Sequence, residues 1–577
     1  METFGQLKKY LKEDFSNHKL IKVALVGDTA TQFLTQAIRG YGYKLGLNLQ
    51  IWEADFNQID RQVFDASSEM YSYDPEIIII FHSSHKLLAK YNKLPLSIQL
   101  NLADNHIDLL NKIVEKIESH IKPKILYFNF AEIDDAVFGN YANKVESSFL
   151  FQIRKLNYKL MEFAVQNPNF HVCDLSSIQN QSGKTNLFST SIYVNTDMVL
   201  GIDILPAIAA KILALIGAID GKFKKCLILD LDNTIWGGVI GDDGIENIQL
   251  GGLGIGKAFT EFQHWILKLK NRGIILAVCS KNTEAVAKEP FEKHPDMVLH
   301  LNEIAVFVAN WENKVDNIRL IQNTLNIGFD SIVFLDDNPF ERNMVKENIK
   351  DITVPELPED PADYLEYLYQ LNLFETVSLS NEDHDRTRQY QISAIRNATQ
   401  NSFVNEDEYL NSLDMMSVIE PFNKFNTPRV AQLSQRSNQF NLRTVRYSEA
   451  DIEVSIIEKK LSSFTFTLED KFGNNGMICV VILNKADAET LFIDTWFMSC
   501  RVLKRGMENF VLNTLVEFAL KNGFVYLKGE YIATIKNQMV KDHYKNLGFI
   551  KSGDCWVLDV VSYLPKKVFI TAKLNNG

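Results

Sequence analysis

The sequence predicts a multidomain α/β protein, and three observations carry that prediction. Apolar runs of strand length alternate with amphipathic helical stretches from residue 21 to residue 335. Two breaks interrupt the alternation, the polar Gly-Lys-Phe-Lys-Lys at 221–225 and a stretch holding Pro355, Pro358 and Pro361. The length of 577 residues, at about 100 to 200 residues per domain, requires about three or four domains.

Taken in order, residues 1–220 offer strands at 21–26, 77–81, 125–128 and 170–173 with helical patterns between them, which implies a doubly wound parallel sheet. Residues 221–370 repeat the scheme, with strands at 226–229, 274–278 and 332–335 and helices near 259–270 and 315–325. Residues 371–577 mix a long helix at 382–398 with alternating strands such as 464–468 and 478–483, an α+β pattern. Neither an internal repeat nor a low-complexity tract is present.

Composition narrows the function classes. The 46% apolar and 23% charged fractions match globular averages, which excludes a disordered or fibrous chain. A net charge of −12 argues against nucleic-acid binding as the main task. The six cysteines are scattered, with no zinc-knuckle or redox-pair spacing, which fits a reducing compartment. The first 15 residues carry charges where a signal peptide needs an apolar run, and the longest apolar stretch, read at 212–219, is too short to span a bilayer. These features lead to the expectation of a cytoplasmic protein without a membrane or nucleic-acid partner.

The chemistry concentrates in the central segment. The apolar strand at 226–229 runs into Asp230-Leu231-Asp232-Asn233-Thr234, two carboxylates at the strand end where open α/β sheets bind ligands. One can ligate a hard cation while the other exchanges a proton. The next strand ends in Ser280-Lys281-Asn282, whose hydroxyl can bond a phosphoryl oxygen. Lys314 opens a helix and offers a point charge to the same oxygens, and the third strand ends in Asp336-Asp337. Asp230 and Asp232 alone would also suit a turn and a helix cap.

In order and context these pieces resemble the four motifs of the haloacid dehalogenase (HAD) superfamily, from about 220 to 350. The words Asp230-Leu231-Asp232-Asn233-Thr234-Ile235-Trp236-Gly237-Gly238, Val278-Cys279-Ser280-Lys281-Asn282 and Asp336-Asp337-Asn338-Pro339-Phe340-Glu341-Arg342 are similar to the FkbH-like group within it. The resemblance implies a Rossmann-like fold with Asp230 as nucleophile and Asp232 as general acid/base. It implies that Thr234, Ser280, Lys281 and Asn282 bind phosphoryl oxygens and that Lys314 neutralises transition-state charge. It further implies Mg2+ held by Asp230, the backbone carbonyl of Asp232, and Asp336 or Asp337, with Asp337 as the direct ligand and Asp336 in support.

FkbH-like proteins move the acyl group of 1,3-bisphosphoglycerate onto the phosphopantetheine thiol of a carrier protein, so the resemblance implies glyceryl transfer to a separate carrier. Attack by Asp230 on the acyl phosphate's phosphorus would release unactivated glycerate. Thioester formation instead needs a thiol at the carbonyl carbon, either the carrier's own or that of Cys279, which directly precedes Ser280. The gaps between motifs leave no room for a large cap domain, and the Gly-rich run 237–256 reads as a phosphate cradle or, more readily, a mobile flap.

The flanking segments resemble known folds in pieces. Gly27-Asp28-Thr29 is similar to the first block of SGNH hydrolases with threonine in place of serine, and the stretch 197–203 lacks the histidine of the late Asp-x-x-His pair. The resemblance with these departures implies an SGNH-like fold without its hydrolase chemistry; His82 and His85 could be ligands, but two histidines on a loop read as solvated. Near the C-terminus, Cys500-Arg501-Val502-Leu503-Lys504-Arg505-Gly506 and His543-Tyr544 resemble parts of a GNAT-type acyltransferase. That implies weak CoA or carrier contacts through Arg501, Lys504, Arg505, Gly506 and Tyr544, with Lys504 at a position where the family places glycine. Two further functions stay open: an aspartyl-phosphate phosphatase acting on a small phosphoester, and a non-catalytic or GNAT-led protein that binds acyl-CoA.

Overall fold

The computed structural model describes residues 2–573 apart from 380–382, 385, 401–402, 404, 459–460, 500–501 and 535. The chain divides into two compact units, Met1–Gly217 and Ala218–Gly577. The break expected near 370 falls inside the second unit, which carries two separate sheets.

The first unit is built on a parallel sheet of β1 (Leu20–Gly27), β2 (Asn48–Glu53), β3 (Ile77–Phe81), β4 (Lys124–Phe128) and β5 (Phe170–Cys173), in the order β2-β1-β3-β4-β5. Helices cover both faces, so the central β3, Ile-Ile-Ile-Ile-Phe, is buried at every position and reads as an unbroken apolar run. The edge strand β2 alternates polar Asn48 and Gln50 with Leu49 and Ile51, a weaker signal absent from the sequence reading. The helix Leu205–Ile219 packs Ile208, Ile212 and Ile216 into one of the two cores. With the preceding turn it forms an 18-residue stretch, Ile202–Ile219, of mean hydropathy 2.1. That is long and apolar enough to cross a membrane, and longer than the run at 212–219 read from the sequence; 56% of it is buried.

In the second unit, β6 (Cys226–Leu229), β7 (Ile275–Ser280), β8 (Ile304–Ala309) and β9 (Ile332–Leu335) form a parallel sheet ordered β8-β7-β6-β9. Leu276 and Val278 of β7 face one core; Ile275, Ala277 and Cys279 face the other. A larger, mostly antiparallel sheet follows, built from β10 (Met415–Glu420), β11 (Leu461–Asp470), β12 (Gly473–Lys485), β13 (Thr490–Met498), β14 (Tyr526–Glu530), β15 (Ile550–Ser552), β16 (Cys555–Asp559) and β17 (Ile570–Lys573). Its order is β15-β16-β14-β13-β12-β11-β10-β17, with β13–β14 and β10–β17 parallel.

Buried polar contacts tie the two sheets into one unit. Asp383, fully buried, accepts from Arg386 (2.6 Å), from Gln432 (2.8 Å) and from Arg436. Arg386 also donates to the Gly273 carbonyl at 3.2 Å, and Gln391 to that of Ile304 at 2.9 Å. Gly273 has φ +95°, and a Cβ there would stand 2.8 Å from the Asp383 Cβ and 3.0 Å from its carbonyl oxygen. The position combines left-handed backbone with a close approach, so only glycine fits. Gly273→Ala is therefore expected to destabilise the second unit by about 2–4 kcal/mol, read as a lower denaturation midpoint; an unchanged midpoint would show that this junction is slack.

Candidate active site

The site lies at the C-terminal end of the four-stranded sheet, where each parallel strand delivers its following residues to one crevice. Asp230 follows β6, Asp336 and Asp337 follow β9, and Lys314 opens the helix Lys314–Leu325 after β8. Asn313 caps that helix, accepting the Asp316 N–H at 2.9 Å. A cation in a first helical turn opposes the helix dipole, so Lys314 is held there by its partners rather than by helix preference. Its Nζ lies 2.9 Å from Asp230 Oδ2 and 2.6 Å from Asp336 Oδ2, with only 3% of the residue exposed. Burial pulls the lysine toward neutrality, but Asp230 and Asp336 outweigh it and keep Lys314 protonated.

The acid pair is fixed by its own loop. Asn338 N donates to Asp336 Oδ1 at 2.8 Å, and Asn338 caps the helix Pro339–Asn348 with proline at its first position. Arg342, buried, donates to the carbonyls of Asp336 (2.8 Å) and Asp337 (2.6 Å) and through Nε to Glu356 at 3.0 Å. The spacing of Arg342, one helical turn past the acid pair, is the sequence signal for this role. Burial, with Asp230 adding, pushes Asp336 up to about 7, and the same causes raise Asp337.

Carboxylate oxygens of Asp230, Asp336 and Asp337 lie within 4.8 Å of one another. Asp230 Oδ1 is buried with no hydrogen-bond partner among the described residues. Three carboxylates face one ammonium here, and an oxygen-only cluster with an orphaned buried acceptor fits a hard divalent cation.

The other expected residues take more varied places. Asp232 accepts Trp236 Nε1 (2.9 Å) and Ile240 N (3.0 Å) on Oδ1 and Asn282 Nδ2 (3.3 Å) on Oδ2, and burial raises its pKa. It is oriented rather than free, as a proton-exchanging group or a turn organiser would be. Asn282 is spent on Asp232, and Ser280 is buried at the end of β7. Thr234, fully buried, donates to Asp337 Oδ1 at 3.3 Å and accepts Asp337 N at 3.1 Å, so it holds the acid loop instead of opening toward a phosphoryl group. Lys281 pairs with Glu341 at 2.6 Å.

Cys279 corrects the sequence reading. It is fully buried in the core formed with Ile275 and Ala277, its Sγ lies 3.9 Å from the Lys314 carbonyl oxygen, and burial pushes its thiol far up. A buried, protonated thiol enclosed in a core is not placed to accept an acyl group. The Gly-rich run is likewise tied down rather than a free flap. Gly237 and Gln249 exchange both backbone bonds (3.1 and 2.8 Å), Val239 N donates to Asp243 at 2.7 Å, and Gly251 N donates to Thr260 Oγ1 at 3.0 Å.

The flanking candidates are mostly structural. Cys500 and Arg501 lie outside the described residues. Arg505 is buried, donating to Asp470 at 3.0 Å beside Arg396, so it is not available to a phosphate. Lys504 is exposed at φ +63°, a left-handed conformation that glycine adopts without strain, and Gly506 precedes the helix Met507–Lys521 at φ +73°. Tyr544 is buried against Gly529, where a Cβ would meet its ring, and burial pushes its phenol far up. Between the diverging ends of β13 and β14 the chain inserts residues 440–442: Leu442 N donates to Trp496 O, Met498 N to Phe440 O and Ile532 N to Leu442 O.

In the first unit, Lys86 pairs with Asp197 (2.6 Å), Thr29 is fully buried, and burial raises Asp28 to about 7. His82 is not a solvated loop residue: Nδ1 meets Tyr127 Oη at 2.9 Å, His106 meets the same oxygen at 2.8 Å, and burial lowers His82 to about 4. His85 packs against Phe188 and Tyr193 and is lowered to about 4 by burial.

A family model described as "FkbH, N-terminal domain" matches residues 22–217. The crystal structure of the N-terminal part of the protein BF1531 from Bacteroides fragilis, containing a phosphatase domain and complexed with Mg, is 58% identical. It covers 66% of this chain and 100% of that one, with a TM-score of 0.64. The ribosomal-protein-S18-alanine N-acetyltransferase from Escherichia coli is 17% identical over 25% of this chain and 94% of its own, with a TM-score of 0.21. No curated protein matches the chain.

Removing the ammonium should expose the charge imbalance. Lys314→Ala leaves Asp230 and Asp336 buried without it, and is expected to cost about 3–5 kcal/mol of stability, partly restored by Mg2+. Urea unfolding with and without Mg2+ checks this, and equal midpoints for variant and parent without the ion would contradict it.

Proposed function

The chain belongs to the FkbH-like group of the HAD superfamily, and on that premise we propose that it is a Mg2+-dependent enzyme transferring the glyceryl group of 1,3-bisphosphoglycerate to the phosphopantetheine thiol of a separate acyl carrier protein. The observation that carries the proposal is the orphaned Asp230 Oδ1 within a cluster of three carboxylates, two of which pair with one lysine. Mg2+ held there supplies a hard centre for phosphoryl oxygens, and Lys314 adds a fixed positive charge beside them.

The chemistry divides into two balanced steps. A carrier thiolate bonds to the acyl carbon, the carbon–oxygen bond to the acyl phosphate breaks, and inorganic phosphate leaves with the electron pair. With Cys279 buried, the carrier's own thiol is the acceptor. A glyceryl product also requires loss of the second phosphate as an ester. There Asp230 attacks phosphorus, the departing alcohol oxygen takes a proton from Asp232, and water then releases phosphate from the aspartyl group while Asp232 accepts its proton. The second step alone constitutes a phosphatase acting on a small phosphoester, a reading favoured by the phosphatase domain named for the Bacteroides fragilis relative.

The test incubates the protein with Mg2+, 1,3-bisphosphoglycerate and a holo carrier protein and follows both masses. A glyceryl adduct on the carrier supports transfer, whereas phosphate release without any adduct supports the phosphatase alone. Asp230→Asn is expected to lower phosphate release by roughly a thousandfold or more, and unchanged release would remove both readings.

A further inference from the structure

One ion pair at the mouth of the site has no part in the chemistry above. Lys281 directly follows β7, and Glu341 lies in the first turn of the helix Pro339–Asn348, which follows β9. These strands are not neighbours: β6 lies between them and ends at Asp230. All four strands are parallel, so both loops stand at the same end of the sheet. The 2.6 Å contact between Lys281 Nζ and Glu341 Oε1 therefore joins the two loops that flank the end of the strand that carries Asp230.

The two partners differ in freedom. Glu341 has a side chain only 10% exposed, while that of Lys281 is 38% exposed. A buried carboxylate that loses its partner is strongly destabilised, so Glu341 anchors the ammonium rather than releasing it. The ammonium has three N–H donors, and Glu341 accepts one of them. Lys314 is a poor receptor for a further anion, because it is almost wholly buried and already serves Asp230 and Asp336.

We propose that Lys281, held at the mouth of the crevice by Glu341, binds a second anionic group at the far end of the substrate, so that the site selects short bis-phosphorylated compounds over mono-phosphorylated ones. Lys281 is then the specificity-determining residue and Glu341 its positioning residue. The identity of the substrate as 1,3-bisphosphoglycerate rests on the reaction proposed above, and the second anion is then whichever phosphate is not at Asp230. The preference for two anions is a separate property.

Two probes that cannot turn over test it. The full chain, with Mg2+, is titrated calorimetrically with propylphosphonate and with propane-1,3-bisphosphonate. The bisphosphonate is expected to bind about tenfold more tightly, the worth of one charged hydrogen bond. Lys281→Ala should erase that preference, Lys281→Arg should retain most of it, and Glu341→Gln should reduce it several-fold. Equal binding of the two probes by the unaltered protein would overturn the proposal, as would a preference that survives Lys281→Ala or a loss of affinity equal for both probes. Failure of carrier loading with the preference intact would remove the transfer reaction and leave this inference standing; loading without the preference would do the reverse.

Discussion

The site is organised by an imbalance of buried charge. Asp230, Asp336 and Asp337 converge within 4.8 Å, and among the described residues Lys314 is the cation paired with them, through Asp230 and Asp336. With all three ionised, two negative charges remain in excess, and burial raises the pKa of Asp336 and of Asp337 in response. The surrounding structure maintains the crowding. Arg342 grips the carbonyls of the acid pair, Thr234 bonds both the backbone and the carboxylate of Asp337, and Asn338 ties Asp336 to the next helix. Carboxylates forced together in this way are poised to bind a hard divalent cation, and an anionic phosphoryl group can approach only once that charge is met.

Asp232 is held differently. Trp236, Ile240 and Asn282 hydrogen-bond its oxygens, and the cluster of three does not include it. Two carboxylates one residue apart thus acquire separate environments, one facing the lysine and one facing neutral donors, as a division between nucleophile and proton carrier requires. The order β8-β7-β6-β9 makes this possible, because the central β6 places Asp230 between the loops that supply Ser280 and the acid pair.

The parts of the site legible in the sequence were those encoded locally. Asp230-x-Asp232, Lys314 at a helix start and Asp336-Asp337 after a strand each sit at the end of an element whose pattern is visible, so their convergence followed from the fold class. The misread residues depend on burial and on partners distant in sequence. In β7, apolar throughout, both faces are packed, Val278 in one core and Cys279 in the other, so the thiol is enclosed although it directly precedes Ser280. Thr234 and Asn282 read as polar groups near a crevice, yet their partners, Asp337 and Asp232, lie 103 and 50 residues away in sequence. Edge strand β2 escaped because polar residues interrupt it, whereas β8 is a continuous apolar run, Ile-Ala-Val-Phe-Val-Ala, at the other sheet's edge that carries no recognisable site motif. The Asp383 cluster, which joins helix to sheet across the proline-rich stretch, depends on side chains about 50 residues apart that no local pattern connects.

The account stands or falls on the cation that balances the buried carboxylates. The most direct measurement is the number of protons released per Mg2+ bound, obtained by titration calorimetry in buffers of different ionisation enthalpy between pH 6 and 9. Because burial lifts Asp336 to about 7 and raises Asp337, binding of one ion should release up to about one proton near pH 6–7, falling toward zero by pH 9. The affinity should weaken correspondingly as the pH falls. Absence of binding, or binding whose proton release and affinity do not change across that range, would contradict the claim that these carboxylates form the metal centre.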